Sequence, residues 1–333
     1  MIRSIINKFK KKPNIYYAMS IAATWAGVGS LMMGIEMTQN YGIIPFLIWA
    51  LGNTLACIVF GVVAPNIPKL RDVFKNPVIK YIVGIMCTFQ IWLNMNGIQT
   101  IFQPTAMPDN FGTVLAIILV LLFIIILFKH SMIRNVLTDH YGLCVVYLVL
   151  LGLTIGAIIF SLGNMNELSW GFEHIGVGIE KCILLIPGAF LYPYFFEILD
   201  YNEQNTDDTK KINVTKAFVN GGLLFGGYLA FTFLLSWTQF NDVLNLIKAF
   251  VIVLIAASTL SSFIYSVYLS FGKKLGLGIS IATLALWQIL IPLGVMGVWT
   301  LMSKIRGVIV IVLIVIALVW NEIEKSKNKK NEG

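Results

Sequence analysis

Window after window of about twenty residues passes with almost no charged side chain, and this feature limits what the chain can become more than any other. Coiled as a helix, such a window crosses the roughly 30 Å hydrocarbon core of a bilayer. A segment in hydrocarbon must satisfy its backbone N–H and C=O groups internally, which selects helices. Ten spans can be drawn, over about 16–38, 41–64, 78–102, 112–128, 141–162, 175–199, 216–237, 245–270, 278–301 and 304–320. Of the 333 residues, 58% are hydrophobic and only 12% charged, against about a quarter charged in a soluble domain. The sequence therefore predicts an all-α polytopic membrane protein, embedded in the lipid bilayer as one membrane domain over 1–333.

The basic residues set its orientation. With the N-terminus inside, segments 1–15, 65–80, 129–140, 200–216, 271–277 and 321–333 hold twenty of the twenty-four Lys and Arg. Lys181, Lys248, Lys304 and Arg306 are left at outer ends, the last two as a misfit in the final outer turn. Both termini are thus expected in the cytoplasm, as tails 1–12 and 322–333, with the chain in the plasma membrane. The second tail, rich in lysine, reads as a solvated, disordered end. The net charge of +8 expresses topology, not affinity for nucleic acid. The basic start runs straight into a full span with no small-residue cleavage site, so no cleaved signal peptide is expected. Cys57, Cys87, Cys144 and Cys182 lie in apolar segments without disulfide or metal spacing. His130, His140 and His174 stand near segment ends.

Ten spans divide into two groups of five, 16–162 and 175–320. Because five is odd, the second group starts on the opposite side of the membrane, as an inverted repeat requires. Each group also opens with an interruptible helix. Span 1 contains Gly27, Gly29 and Gly34, and span 6 contains Pro187, Gly188 and Pro193. Proline removes a backbone donor and frees carbonyl oxygens of the preceding turn. The expected architecture is a 5+5 inverted repeat with helices 1 and 6 broken at mid-membrane, although glycines also serve plain close packing.

Span 8 contains "IAASTLSSFIYS", with Ser258, Thr259, Ser261, Ser262 and Ser266 within twelve residues. At helical spacing Ser258, Ser261 and Ser262 share a face, with Thr259 beside them. Such hydroxyls either bond neighbouring helices, at about 0.6 kcal/mol per bond, or join carbonyls of a broken helix in a cation's oxygen shell. "AASTLSS" resembles the signature of the eighth core helix of sodium:solute symporters, and "AATWAGVGS" resembles a stretch of their first core helix. Both belong to the five-plus-five fold of LeuT and its relatives. The resemblance implies a sodium ion held by the Ser258 and Thr259 hydroxyls and the Ile255 carbonyl, with Ala18 and Ile21 supplying carbonyls from span 1. Ser261 and Ser262, with Gly27 and Ser30, form the alternative register. No organic cofactor is implied. The chain lacks the additional helices of typical symporters. Its size and "GIEMTQNYG" also resemble small YkvI-type membrane proteins.

The solute is expected between the broken helices and span 3. Span 3 carries Gln90, Asn94, Asn96 and Gln99 with Trp92, and amides in hydrocarbon are costly unless they face a bundle interior or a wet cavity. Trp25, Gly27, Gly29, Gln90, Asn94, Pro187, Gly188, Tyr192 and Trp287 are the candidate substrate residues, with Tyr194 and Gln288 nearby. Aromatic and amide groups with few charges suit a small neutral or zwitterionic solute. Glu36 and Glu180 are candidates for coupling, and Lys181 stands beside the latter. Glu197 leads into a loop of mixed charge where gating ion pairs could form. The sequence reads as a secondary transporter coupled to sodium and not as an enzyme, since no span gathers His, Asp and Glu or a Ser–His arrangement. A proton-coupled or uncoupled transporter and a transport-inactive signalling or assembly protein are the alternatives. The oligomeric state is left open.

Overall fold

The computed structural model describes residues 13–128, 132–204, 211–289 and 291–331. The expected tail 1–12 and His130 fall outside these residues, as does the side chain of Gln288. Among the described residues the secondary structure is helical, without a strand. In chain order the α-helices are α1 (Pro13–Trp25), α2 (Val28–Tyr41), α3 (Ile43–Asn66), α4 (Pro68–Lys75), α5 (Pro77–Ile101), α6 (Phe111–Leu127) and α7 (Met132–Ser161). There follow α8 (Ile175–Leu185), α9 (Pro193–Gln204), α10 (Val214–Ser236), α11 (Asp242–Phe271), α12 (Lys273–Leu286) and α13 (Gly294–Asn331). Seven helical segments are long and apolar enough to cross a membrane, and eight if α1 and α2 count as one bent span. The chain is a multi-pass membrane protein. Exposed Ile118, Leu122, Ile125, Leu148, Ile155 and Val308 show how the outward faces are greased for lipid.

Two helices are interrupted. α1 and α2 meet at 62°. There the Gly27 N–H bonds the Trp25 carbonyl at 2.8 Å instead of extending the helical ladder, and the Tyr228 hydroxyl donates to Gly27 O at 3.0 Å. Gly27 has no Cβ for a reason: one built there would sit 3.0 Å from Thr259 Cγ2, so its absence lets α11 touch the break. The second interruption lies between α8 and α9, where Ile186–Leu191 tightens into a 3₁₀ helix and Tyr192 is extended. Proline disfavours helical geometry in the residue before it, and Pro193 follows Tyr192 directly.

Around these breaks α1 packs on α7 and α10, α2 on α3 and α10, and α11 lies along α5 and α7. Phe60 anchors an aromatic cluster of Phe190, Phe195, Phe196 and Phe218, with ring centroids 4.8–5.4 Å apart.

Three sequence expectations are corrected. Segment 65–80 is not a plain loop, since α4 forms there as an amphipathic helix. The tail beyond 321 continues α13 as helix as far as Asn331, in keeping with a run lacking Gly and Pro. The junction placed near 302–303 lies instead at 287–293, where two short 3₁₀ turns, Trp287–Ile289 and Ile291–Leu293 with Pro292 inside the second, precede Gly294, which starts α13 at φ +64°. Arg306 therefore stands more than three turns inside a long helix and not in its first turn.

Candidate functional site

The break in α1/α2 borders a narrow cavity of about 30 Å³, room for about two waters in this conformation. Thr24, Trp25, Gly27, Gly29 and Ser30 form its wall on the broken helix. Gln90, Leu93 and Asn94 come from α5, Asn53 from α3, Tyr192 from the second interruption and Thr259 with Phe263 from α11. Trp299 and Arg306 of α13 complete it. Helical spacing puts Gln90 and Asn94 on one face, where Asn94 Nδ2 donates to Gln90 O at 2.8 Å. Thr259 Oγ1 donates to Asn94 Oδ1 at 2.8 Å and lies 3.2 Å from Ile255 O. The rings of Trp25 and Tyr192 pack at 5.5 Å.

Six of the nine candidate substrate residues thus surround one cavity: Trp25, Gly27, Gly29, Gln90, Asn94 and Tyr192. Gly188 is buried behind it, and a Cβ there would lie 3.5 Å from Trp25 Cη2 and 3.7 Å from Arg306 Cζ. Pro187 is half-buried in the 3₁₀ segment and is not part of the wall. Trp287 is not part of it either, being fully buried with its indole donating to Asn96 Oδ1 at 2.9 Å. It locks α5 to the end of α12.

A second site lies one helical turn back along α1, at Ser20. Asp139 is 1% exposed. Ser20 donates to its Oδ2 at 2.5 Å and Asn135 Nδ2 at 3.1 Å. Ser262 reaches the same oxygen at 3.5 Å, and Ser261 reaches Oδ1 at 3.4 Å. Tyr194 shares a hydrogen bond with Ser20 at 2.6 Å. Four helices, α1, α7, α9 and α11, therefore converge on one buried carboxylate. Hard cations prefer carboxylate and other oxygen ligands, and a carboxylate ringed by rotatable hydroxyls can hold such a cation or a proton. The two sites share Thr24, which lines the cavity and has its hydroxyl 3.3 Å from Ser262 Oγ.

The residues expected to hold sodium divide among several places. Ser261 and Ser262 join Asp139, whereas Thr259 and Ser30 border the cavity, with Ser30 Oγ donating to Trp25 O at 2.9 Å. Ile255 lends its carbonyl to Thr259. Ser258 shares an outward groove with Asp139 and Ser261 and accepts from Ser261 Oγ at its carbonyl at 2.7 Å, but its own Oγ has no hydrogen-bond partner and does not reach the carboxylate. The structure does not bring Ala18 and Ile21 to α11 either. Both precede the break inside α1, and Ile21 and the Ala18 carbonyl face Gly221 of α10. Glu36 is half-buried on α2, with no hydrogen bond or ion pair among the described residues. Glu180 is exposed and pairs with Lys304 at 3.8 Å. Its neighbour Lys181 is buried, donating to Thr300 Oγ1 at 3.0 Å with its ammonium 5.1 Å from the Trp299 ring centroid.

Sequence reasoning missed Asp139, Ser20, Thr24, Asn53 and Arg306. Segment 129–140 read as loop, yet Asp139 is helical and buried. It is the single acidic residue between positions 110 and 166, a signal that could have marked it. Arg306 was hidden by the misplaced junction before α13.

At the end of the bundle that carries α4, ion pairs bind α4 to α9. Lys75 reaches Asp200 at 2.8 Å, Arg71 reaches Asp200 at 3.8 Å, and Arg71 also pairs with Glu203. The Arg71 guanidinium holds the Glu203 carboxyl below its usual range. Glu197 accepts from Tyr265 at 3.0 Å and lines a separate cavity of about 170 Å³ with Phe74, Lys80 and Asp200.

Neither a family model nor a curated protein matches the chain. Among solved structures it is similar to the Eremococcus coleocola manganese transporter in complex with an aromatic bis-isothiourea substituted compound, with a TM-score of 0.40 and 14% identity. That similarity covers 96% of this chain and 74% of the other.

Proposed function

We propose that the chain is a secondary active transporter in which a sodium ion at Asp139 drives uptake of a small solute held in the cavity beside the α1/α2 break. In this reading ten crossings form a 5+5 inverted repeat around a single membrane domain, with both termini cytoplasmic in the plasma membrane. Asp139, Ser20, Ser261 and Ser262 supply the cation's oxygens, and Trp25, Gln90, Asn94 and Tyr192 meet the solute. The observation that carries the reading is Thr24. Its hydroxyl belongs to the wall of one site and touches a member of the other, so occupancy of either biases the same turn of helix. Coupling needs differential affinity for two states of a shared element, and the last turn before a break is such an element.

Purified protein in detergent tests this by thermal unfolding in sodium against potassium at constant ionic strength. Sodium at a hundred times its dissociation constant contributes about 2.7 kcal/mol, so the midpoint should rise in sodium and not in potassium. Asp139→Asn should abolish the difference. Equal midpoints in both salts would refute sodium coupling.

The burial of a carboxyl among hydroxyls also favours a second reading, coupling to protons through Asp139. It requires that the midpoint ignore sodium but follow pH, and that Asp139→Asn remove the pH response.

A further inference from the structure

Arg306 is 3% exposed and lines the solute cavity. Its Nη2 donates to Ser303 Oγ at 3.2 Å, one turn back on the same helix, and the Tyr192 hydroxyl lies beside it. Its Nε has no hydrogen-bond partner. A guanidinium has five N–H donors and stays charged, so these neighbours account for a minority of its capacity. Among the described residues no carboxylate forms an ion pair with it. Asp139 is engaged by the Ser20 hydroxyl, and Glu197 by Tyr265. A buried, unpaired charge is strongly disfavoured in protein and in membrane. Something anionic must offset it in at least one state of the molecule.

The surroundings describe that anion. The guanidinium packs beside Gly188 in the 3₁₀ segment of the second interruption. The Trp25 indole N–H on the same cavity has no acceptor, and no hydrogen bond among the described residues engages the Gln90 amide. Phe263 and Trp299 close the rest of the wall with apolar surface. Behind Trp299, Lys181 adds a second cation, with the exposed, Lys304-paired Glu180 beside it in the chain. Planar guanidinium matches carboxylate bidentately.

We infer that the cavity binds a small organic carboxylate, its carboxylate on Arg306 and a second acceptor on Trp25 Nε1 or the Gln90 amide. This rests on the cavity's being the solute site and narrows the solute from neutral or zwitterionic to one bearing a carboxylate, zwitterions included.

Matched acids and amides test it on the full chain in detergent, read by thermal shift and by quenching of tryptophan fluorescence, since Trp25 and Trp299 line the cavity. The probes are phenylacetate and phenylacetamide, 4-methylvalerate and its amide, and leucine and leucinamide, with chloride and phosphate alongside. At least one acid should bind tenfold or more tighter than its amide. Arg306→Gln should erase that preference, and Arg306→Lys should keep part of it. Should Arg306→Gln fail to fold, Trp25→Phe on the intact arginine should weaken the preferred acid severalfold. Acids and amides binding alike, a preference surviving Arg306→Gln, or occupation by inorganic anions alone would each overturn the inference. A preference for acids without sodium-dependent stabilisation would leave this inference standing while sodium coupling fell.

Discussion

The Asp139 site and the Arg306 site lie along one broken helix, joined through Ser20 and Thr24 a turn apart on α1, and differ in how their charges are met. Around Asp139, the protein supplies its own donors: Ser20, Asn135, Ser261 and Ser262 all aim at the carboxylate. Around Arg306, the guanidinium has one hydroxyl acceptor on its own helix, a phenol beside it and an orphaned Nε. A satisfied buried network rigidifies its surroundings, whereas an unsatisfied one carries a desolvation cost that a partner can remove. The contrast teaches that the two charges serve different ends. In this structure one ties four helices together, and the other lacks a counter-charge among the described residues.

The largest expected effect comes from breaking the organised site. Asp139→Leu leaves the Asn135 amide buried without that acceptor and Ser20 with Tyr194 alone, and should lower unfolding stability by about 2–3 kcal/mol, measured by denaturant titration in detergent. Arg306→Met should cost far less, or even stabilise, because it removes an uncompensated charge while keeping the stem's packing. If Arg306→Met costs as much as Asp139→Leu, the contrast between the sites fails.

Thr24→Val sharpens the comparison at its joint. It keeps the shape of the side chain but removes the hydroxyl that reaches Ser262. Coupling between sites is typically about 5–150-fold in affinity. The variant should bind sodium and an acid probe separately while losing most of the mutual enhancement, as measured by acid titrations with and without sodium.

Gly27→Ala acts on the contact between the break and α11. Its Cβ would stand 3.0 Å from Thr259 Cγ2, so α11 must give by a few tenths of an ångström, at a cost of about 1 kcal/mol. A lowered melting midpoint with sodium affinity weakened more than acid affinity is expected, because the displaced Thr259 shares a helix with Ser261 and Ser262.

The smallest effect lies at the α4 end. Glu203 is held below its ordinary range by Arg71, so its contribution is present above the unfolded value. It is lost as pH falls through the lowered folded one. With Glu203 59% exposed, that contribution is screened and should stay under about 1 kcal/mol. Melting midpoints of wild type and Glu203→Gln should differ slightly at pH 6 and converge at pH 3.

Much of this arrangement was legible in the residues. Apolar run length gave the membrane class, and Gly27 and Pro193 marked both interruptions because each residue acts on its own backbone. Gln90 and Asn94 were found because amides in hydrocarbon need a reason. What escaped depended on where helices begin. Asp139 stands three residues beyond Val136, within the first two turns of α7, and next to His140 it read as a loop. Arg306 was assigned to a helix start because the apolar run 278–320 has one weak punctuation, Pro292 and Gly294, and the junction was drawn past it. Ala18 and Ile21 show the opposite limit: a motif's register does not reveal which neighbour a carbonyl faces.

Equilibrium binding of radiolabelled sodium to the purified chain tests the whole account most directly. Wild type should retain about one ion per chain and Asp139→Asn none, with Ser258→Ala unchanged. Equal retention by wild type and Asp139→Asn, or loss in Ser258→Ala alone, would contradict it.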